Sequence, residues 1–303
     1  QGRPPFQNRV GQLRQHHLDR PDRVVVPRDR LHEMGHQLGG NHSFSFQNEG
    51  SGVQVEVGSG ITIMGYAGIT SQDVAPHSID TFHAVNIAQI QSNLATKVCP
   101  VSVTMTANHP PVVAGVAAAT IPISTPFALT GSATDPENDP LTYQWEQIDN
   151  STTTGNASVA SPTKATGPNW ISFVPSSSPT RYFPRLATVQ AGLFVTPTLG
   201  GDAVANTEAL SSVSRILSFR LTVRDNNPYV AGSKTGQSQF TDMSVTVTNA
   251  AGPFKVTTPN TTGISYAGNS NQTVTWDVAG TTGNGINTAN VKISLSTDGG
   301  NTF

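Results

Sequence analysis

The sequence predicts an α+β protein in which a short helical region precedes β-sandwich modules of antiparallel strands. Three observations support this prediction. Apolar residues near the N-terminus repeat at helical spacing, the middle of the chain alternates apolar and polar residues, and a proline-containing stretch at 100–111 separates the two patterns. With 303 residues, the chain is long enough for about two domains and part of a third.

The composition of the chain excludes several classes of protein. The net charge of −2 gives no electrostatic footprint for nucleic acid. The longest apolar stretch, 112–123, contains Gly115 and Pro122 and is shorter than the roughly 20 residues of a membrane span. The single cysteine, Cys99, cannot form an internal disulfide. Because only 12% of the residues are charged and Ser and Thr are frequent, we expect a secreted protein.

The first helix is predicted at Arg28–Leu38, after a proline that is tolerated in a first helical turn and before the pair Gly39-Gly40, which ends it. On a helical wheel the apolar residues fall on one side and two histidines fall on roughly the opposite side. We therefore expect one face to pack into a core and the other to form a site. The apolar residues are Leu31, Met34 and Leu38.

A glycine-punctuated turn is predicted at 58–68, and a second helix is predicted from Ser78 or Asp80 to Leu94. Either Ser78 or Asp80 could serve as its N-cap, because both side chains accept hydrogen bonds from free backbone N–H groups. The apolar stripe of this helix consists of Phe82, Val85, Ile90 and Leu94.

Beyond residue 110 the pattern has a period of two. Three segments alternate apolar and polar residues, which is typical of half-buried strands in an antiparallel sandwich. They are Leu141–Glu146, Phe219–Arg224 and Met243–Thr248. Residues 150–215 are rich in Ser, Thr and Pro and are predicted to form a long insertion or loop.

The pattern divides the chain into three predicted units, a helical domain, a sandwich module with the long insertion and a second sandwich module. These units are 1–99, 110–250 and 253–303. In the third unit, strands are predicted at Val274–Val278 and Val291–Leu295, followed by a hairpin turn at 298–301. We expect this unit to be truncated at its C-terminus, because the return strand stops at Phe303.

The segment His32–His42 reads His-Glu-x-x-His-x-x-Gly-x-x-His and fills every defined position of that pattern. His32 and His36 are four residues apart and share one helix face, so both can bind one metal ion. The glycine turn that ends the helix returns His42 as a third ligand. Glu33 lies off that face, within reach of a metal-bound water. Three neutral nitrogens and one open position are typical of a catalytic zinc site.

Together with Ile63-Met64-Gly65-Tyr66, this motif resembles the metzincin zinc peptidases with their Met-turn. Over about residues 31–95 the sequence is most similar to bacterial reprolysin-like metallopeptidases that carry C-terminal sandwich modules. The resemblance implies that residues 1–99 form the C-terminal part of a metzincin-like catalytic domain, incomplete at its N-terminus. It also implies cleavage of proteins or peptides.

The resemblance further assigns roles to individual residues. It implies that His32, His36 and His42 bind zinc and that Glu33 is the general base. It places Met64 beneath the metal and makes Tyr66 a further ligand or an oxyanion helper. Ordinary packing roles for Met64 and Tyr66 remain open alternatives.

A second candidate metal site is the acidic segment Asp135–Pro140, whose alternating carboxylates suit calcium. It is similar to loops of cadherin-like sandwich repeats. Prolines and Asx residues also form ordinary turns, so both interpretations stay open. The candidate calcium ligands are Asp135, Glu137, Asp139 and, from another inter-strand loop, Asp225.

The sequence therefore predicts a secreted zinc-dependent endopeptidase in which Glu33 activates zinc-bound water. The alternative is an extracellular β-sandwich adhesion or binding protein with a vestigial zinc site, because most of the chain consists of β modules. An intact Glu33 argues against a vestigial site, since a site that only binds would need no base there.

Overall fold

The computed structural model describes residues 27–98, 104, 106–199 and 205–298. Cys99, residues 100–103 and 105 of the predicted linker, and residues 299–301 of the predicted turn lie outside these ranges. The described chain is mostly β-sheet with few helices. The α-helices are α1 (Pro27–Gln37), α2 (Ala84–Ala95) and α3 (Leu186–Gln190), and Gly155–Ser158 forms a 3₁₀ turn.

The strands of the described residues form one four-stranded sheet and several two-stranded ones. They are β1 (Val112–Val113), β2 (Ala119–Pro122), β3 (Phe127–Thr130), β4 (Ala133–Thr134), β5 (Thr142–Gln147), β6 (Thr180–Phe183), β7 (Val195–Thr196), β8 (Glu208–Ala209), β9 (Arg215–Arg224), β10 (Ser238–Thr248), β11 (Lys255–Thr258) and β12 (Thr275–Asp277). The four-stranded sheet has the order β2-β10-β9-β5, and the pairs are β1-β4, β3-β6, β7-β8 and β11-β12.

The four-stranded sheet corrects the prediction of purely antiparallel modules. Strands β5, β9 and β10 pair antiparallel, with Leu221 opposite both Trp145 and Thr241. Strand β2, however, pairs parallel with β10, with Ala119 opposite Val245. No tight hairpin joins β2 to β10, because most of the module lies between them in the chain. Their relative direction is therefore not fixed by a turn.

The predicted alternation identifies the buried face of β9 correctly. On β9 the residues Leu217, Phe219, Leu221 and Val223 are at most 1% exposed, whereas Ile216 on the opposite face is 62% exposed. Burial of this apolar face drives the packing of the sheet against the β3-β6 pair. The buried cluster comprises Leu129, Trp145, Trp170, Phe183, Leu210, Leu217, Phe219, Leu221, Val223, Met243, Val245 and Val247.

Helix α1 agrees closely with the prediction, and Gly39 adopts a φ of +101° just after it. Helix α2 begins later than predicted, at Ala84. His83 is its N-cap and accepts a hydrogen bond from the Val85 N–H at 3.3 Å. The candidate cap Asp80 instead pairs with Arg28 at the start of α1.

The predicted core face of α1 is not its packing face. Leu31 is 36% exposed and Met34 is 49% exposed. The buried residue is Gly35, where an added Cβ would lie 2.5 Å from the Met64 Sδ and 2.8 Å from the Phe82 ring. The helix therefore packs at Gly35, where the absence of a side chain leaves room for Met64 and Phe82. The wheel pattern missed this contact because glycine carries no apolar side chain.

Residues 150–215 are not a plain loop, because they contain β6, β7, β8 and α3. They also pack against residues 42–75, which follow α1 and are called here the zinc-motif region. Gly155 donates to the Phe46 carbonyl at 2.8 Å, and Ala205 donates to the Asp73 carbonyl at 3.0 Å. A second buried apolar cluster spans both parts of the chain. It comprises Val57, Ile61, Ala67, Val74, Ala75, Ala160, Ile171, Ala205 and Ala209.

The third unit, of which residues 253–298 are described, contains the β11-β12 pair, which includes most of the predicted strand Val274–Val278. Residues 291–295 form no strand, and Leu295 is 84% exposed. The predicted strand there is wrong for the described structure, because alternation alone provides no pairing partner. Among the described residues, no helix is long and apolar enough to cross a membrane.

The shared apolar cluster predicts one cooperative unit that includes the zinc-motif region and the insertion. Ile171 is 1% exposed, so Ile171→Ala removes buried contacts and should cost about 2–5 kcal/mol of unfolding free energy. Calorimetry should show a single transition for both regions at a lower temperature. Ile293→Ala, at a site 61% exposed, is the control. Two separate transitions with only one shifted would contradict the shared core.

Candidate metal centre

The three motif histidines converge in the structure. His32 and His36 lie one turn apart on α1, and the left-handed Gly39 reverses the chain so that His42 returns toward them. The His36 Nε2 atom lies 3.2 Å from the His32 Nε2 and 3.0 Å from the His42 Nε2. Three nitrogens bound to one tetrahedral zinc at about 2.0–2.1 Å lie roughly 3.3 Å apart, so this spacing fits a shared ion.

The other ring nitrogen of each histidine is held by an acceptor. The His32 Nδ1 lies 2.7 Å from the Ile63 carbonyl, and the His36 Nδ1 lies 2.9 Å from the Gly40 carbonyl. The His42 Nδ1 lies 2.7 Å from a carboxylate oxygen of Glu49. A carbonyl oxygen only accepts, so the Nδ1 atoms of His32 and His36 carry the hydrogens. Their Nε2 lone pairs consequently face the centre.

Burial favours the neutral form of the central histidine. It lowers the pKa of His36, and the neighbouring His42 lowers it further. The Gly40 carbonyl and the carboxylates of Glu33 and Glu49 act in the opposite direction. Metal ligands must be deprotonated, so this environment suits a cation that replaces the proton.

Glu33 and Tyr66, the two residues assigned catalytic roles by the resemblance, both lie at this centre. Glu33 is half-buried on α1 beside His36. The Tyr66 ring lies 4.5 Å from the His42 ring and 5.7 Å from the His32 ring, measured between centroids. The role of Tyr66 as ligand or oxyanion helper remains a prediction.

Met64 is completely buried and fills the gap at Gly35, between the two helical ligands. Its carbonyl oxygen accepts a hydrogen bond from the Ser43 N–H at 3.2 Å. Met64 therefore contacts α1 through its side chain and Ser43, the residue after His42, through its backbone. The role of Met64 beneath a metal ion remains a prediction.

The acidic segment of the sandwich forms the hydrogen bonds of a turn. One oxygen of Asp135 accepts from the backbone N–H groups of Glu137 and Asp139, both at 3.0 Å. The Glu137 carboxylate pairs with His109 at 2.6 Å. Although Asp135, Glu137 and Asp139 come within 4.8 Å of one another, these contacts are those of an ordinary Asx turn, and calcium is not supported.

Asp225, the fourth candidate calcium ligand, is 2% exposed and is also bonded within the protein. It accepts from the Asn108 side chain at 2.6 Å and from the Asn227 and Gln237 N–H groups at 3.1 and 2.9 Å. Asp139 accepts from the Asn227 side chain. These side-chain amides link the two loops.

The sequence pattern missed two carboxylates in this region, Glu49 and Glu56. Glu49 contacts His42, and the buried Glu56 lies in the segment that follows. Neither has a fixed spacing to the motif, so residue pattern alone could not assign them. The signal available was weaker: residues 31–96 contain five carboxylates and no Lys or Arg.

Comparison with known proteins agrees with this geometry in part. Residues 30–94 match the model of the metallopeptidase family M12B, reprolysin-like. No match was found among curated proteins. A crystal structure of human mucin-like protocadherin EC1-2 is similar at 14% identity, over 48% of this chain and 57% of that one, with a TM-score of 0.24. The family match supports a zinc metallopeptidase, and it covers the segment that builds the centre.

The histidine geometry predicts one tightly bound zinc per chain. His36→Ala should abolish stoichiometric binding, because His36 is the central nitrogen of the three and two remaining ligands hold zinc poorly. Metal analysis after gel filtration measures the content. His77→Ala, an exposed histidine outside the centre, is the control and should keep the zinc. Full occupancy in His36→Ala would show that the ligands are assigned wrongly.

The contact between His42 and Glu49 predicts a second effect. A carboxylate on Nδ1 fixes the ring and raises its basicity, and loss of such a partner typically costs 10–100-fold in metal affinity. Glu49→Gln should therefore weaken zinc binding by about that factor while the melting temperature of the zinc-free protein stays unchanged. Competition with a chromophoric chelator measures the affinity. Unaltered affinity would contradict the proposed support by Glu49.

Proposed function

We propose that this chain is an exported zinc-dependent endopeptidase. The observation that carries the proposal is the convergence of three Nε2 atoms, at separations of 3.0 and 3.2 Å, with an acceptor on every Nδ1. The reprolysin-like match over residues 30–94 supports the reaction class, and the low charge content supports export. Peptide bonds in proteins or peptides are the proposed substrates.

The residues present fit a catalytic zinc ion. His32, His36 and His42 would hold it as neutral donors and would leave one position open. When bound, zinc would polarise the scissile carbonyl and lower the pKa of water toward about 7. The acceptors on the Nδ1 atoms keep each ring in the tautomer that presents its lone pair to the centre.

Glu33 is proposed to transfer the proton. Its carboxylate would take a proton from the attacking water and deliver it to the leaving amine. Among the described residues no hydrogen bond engages this side chain, and it lies beside the ligand His36. An acceptor that is not already bonded is suited to a base that must accept and release a proton. Tyr66 is proposed to assist at the oxyanion.

The alternative function, a β-sandwich adhesion protein with a vestigial site, requires no base. The two proposals therefore differ in whether Glu33 is needed for activity. The decisive measurement compares the metal content and the peptidase activity of a Glu33 variant.

Replacement of Glu33 should separate binding from catalysis. Glu33→Gln keeps the size of the side chain but cannot accept the proton, so cleavage of a casein-type substrate should fall by about 10²–10⁴-fold. Zinc content should stay at about one per chain, because Glu33 is not a ligand. Glu137→Gln, in the exposed turn of the sandwich, is the matched control. Equal activity of Glu33→Gln and the parent protein would refute the mechanism.

A further inference from the structure

We propose that Glu56 is a positioning residue of the metal centre. Its buried carboxylate joins the segment that follows His42 to the segment that supports His32. The inference rests on the proposed zinc site and adds to it a residue outside the motif. Glu56 is 1% exposed and lies in a segment that forms a parallel bridge with Phe44.

Both carboxylate oxygens of Glu56 are fully used. One oxygen accepts the backbone N–H groups of Ile61 and Thr62, at 2.9 and 3.0 Å. The other accepts the hydroxyl of Thr62 at 2.5 Å and the hydroxyl of Ser43. The Glu56 N–H in turn donates to the Ser43 carbonyl at 2.9 Å. One side chain thus binds two separate stretches of backbone.

Each of these two stretches of backbone is adjacent in sequence to a residue of the metal centre, either a proposed ligand or the acceptor that orients one. Thr62 precedes Ile63, whose carbonyl oxygen holds the His32 Nδ1 at 2.7 Å. Ser43 follows His42 directly. A shift of the Glu56 carboxylate would therefore move the His32 acceptor and the His42 backbone together. Metal affinity is sensitive to such displacements, because ligand rings are oriented by the groups behind them.

The glycines of the turn are required by the close approach of this carboxylate. Gly60 has a φ of +69°, and a Cβ there would lie 3.1 Å from an oxygen of Glu56. A Cβ at Gly65 would lie 2.9 Å from the Gly60 carbonyl carbon. The turn thus closes tightly around Glu56, and glycine is the residue that permits both contacts.

A carboxylate at position 56 can accept more hydrogen bonds from the surrounding donors than a neutral side chain can. An ionised carboxylate only accepts hydrogen bonds, so it can satisfy four donors at once. A glutamine would turn its NH₂ group toward two of them and lose those bonds. Among the described residues no basic side chain forms an ion pair with Glu56, so the four donors themselves stabilise its charge.

The test compares Glu56→Gln with a matched variant of another buried carboxylate. Glu146 is completely buried and accepts hydrogen bonds from the Ala84 N–H at 3.1 Å and the Ser172 hydroxyl at 2.9 Å. It bonds to no ligand, and to no residue adjacent to a ligand. Glu146→Gln should lower the melting temperature and leave the metal centre unchanged.

The readout is the visible spectrum of the cobalt-substituted protein together with zinc affinity by chelator competition. In Glu56→Gln we expect zinc affinity to fall by about 10–100-fold and the cobalt bands to shift, because ligand geometry changes. A general loss of stability, as in Glu146→Gln, would not shift these bands. Parent-like bands and affinity in folded Glu56→Gln would overturn the inference and leave the proposed function standing.

Two milder variants decide the question if Glu56→Gln does not fold. Ser43→Ala and Thr62→Val each remove one hydroxyl donor and leave the backbone donors in place. Both should weaken zinc binding and shift the cobalt bands in the same direction. If neither does, Glu56 does not position the ligands. A parent protein that binds neither zinc nor cobalt would overturn the proposed function and this inference with it.

Discussion

The centre depends on holding three imidazole lone pairs about 3 Å apart. Neutral rings that face one another through unprotonated nitrogens repel, so a fixed tautomer defines this arrangement and a cation between the rings would stabilise it. The fixed tautomer comes from the acceptors at Ile63, Gly40 and Glu49, each within 2.9 Å of an Nδ1 atom. The structure around the motif can be understood as the support for these three acceptors.

That support extends far beyond the motif. The turn that carries the Ile63 carbonyl is tied to Glu56 on one side and packs through Met64 into the gap at Gly35 on the other. Ile61, from the same turn, belongs to an apolar cluster completed by Ile171 and neighbouring residues of the sandwich insertion. The β module therefore contributes to the packing around the turn that carries the Ile63 carbonyl.

The sequence predicts features that depend on residues close together in the chain, and it does not predict features that depend on distant ones. Helix α1 and the convergence of its two histidines depend on residues four apart, and Gly39 ends the helix locally, so the pattern was sufficient. The N-cap of α2 was misassigned because a contact with Arg28, distant in the chain, engages Asp80.

Long-range pairing explains the other differences. The alternation in β9 correctly identified its buried face, but the parallel pairing of β2 with β10 is set by the path of the chain through the module. An identical alternation at 291–295 forms no strand among the described residues, because period two specifies a face and not a partner. Glu49 and Glu56 could not be predicted for the same reason, since contacts between separate loop residues bring Glu49 to His42 and Glu56 to Ser43 and Thr62.

The acidic side chains of residues 31–96 differ in their hydrogen-bond partners. Of the five acidic side chains in residues 31–96, Asp80 pairs with Arg28, and Asp73 accepts hydrogen bonds from Thr70. Glu49 is engaged by His42, and Glu56 is engaged by four donors of its own loop. Glu33, beside His36, forms no hydrogen bond with any described residue. The proposed proton transfer is therefore assigned to Glu33, the carboxylate of these three that no described donor engages.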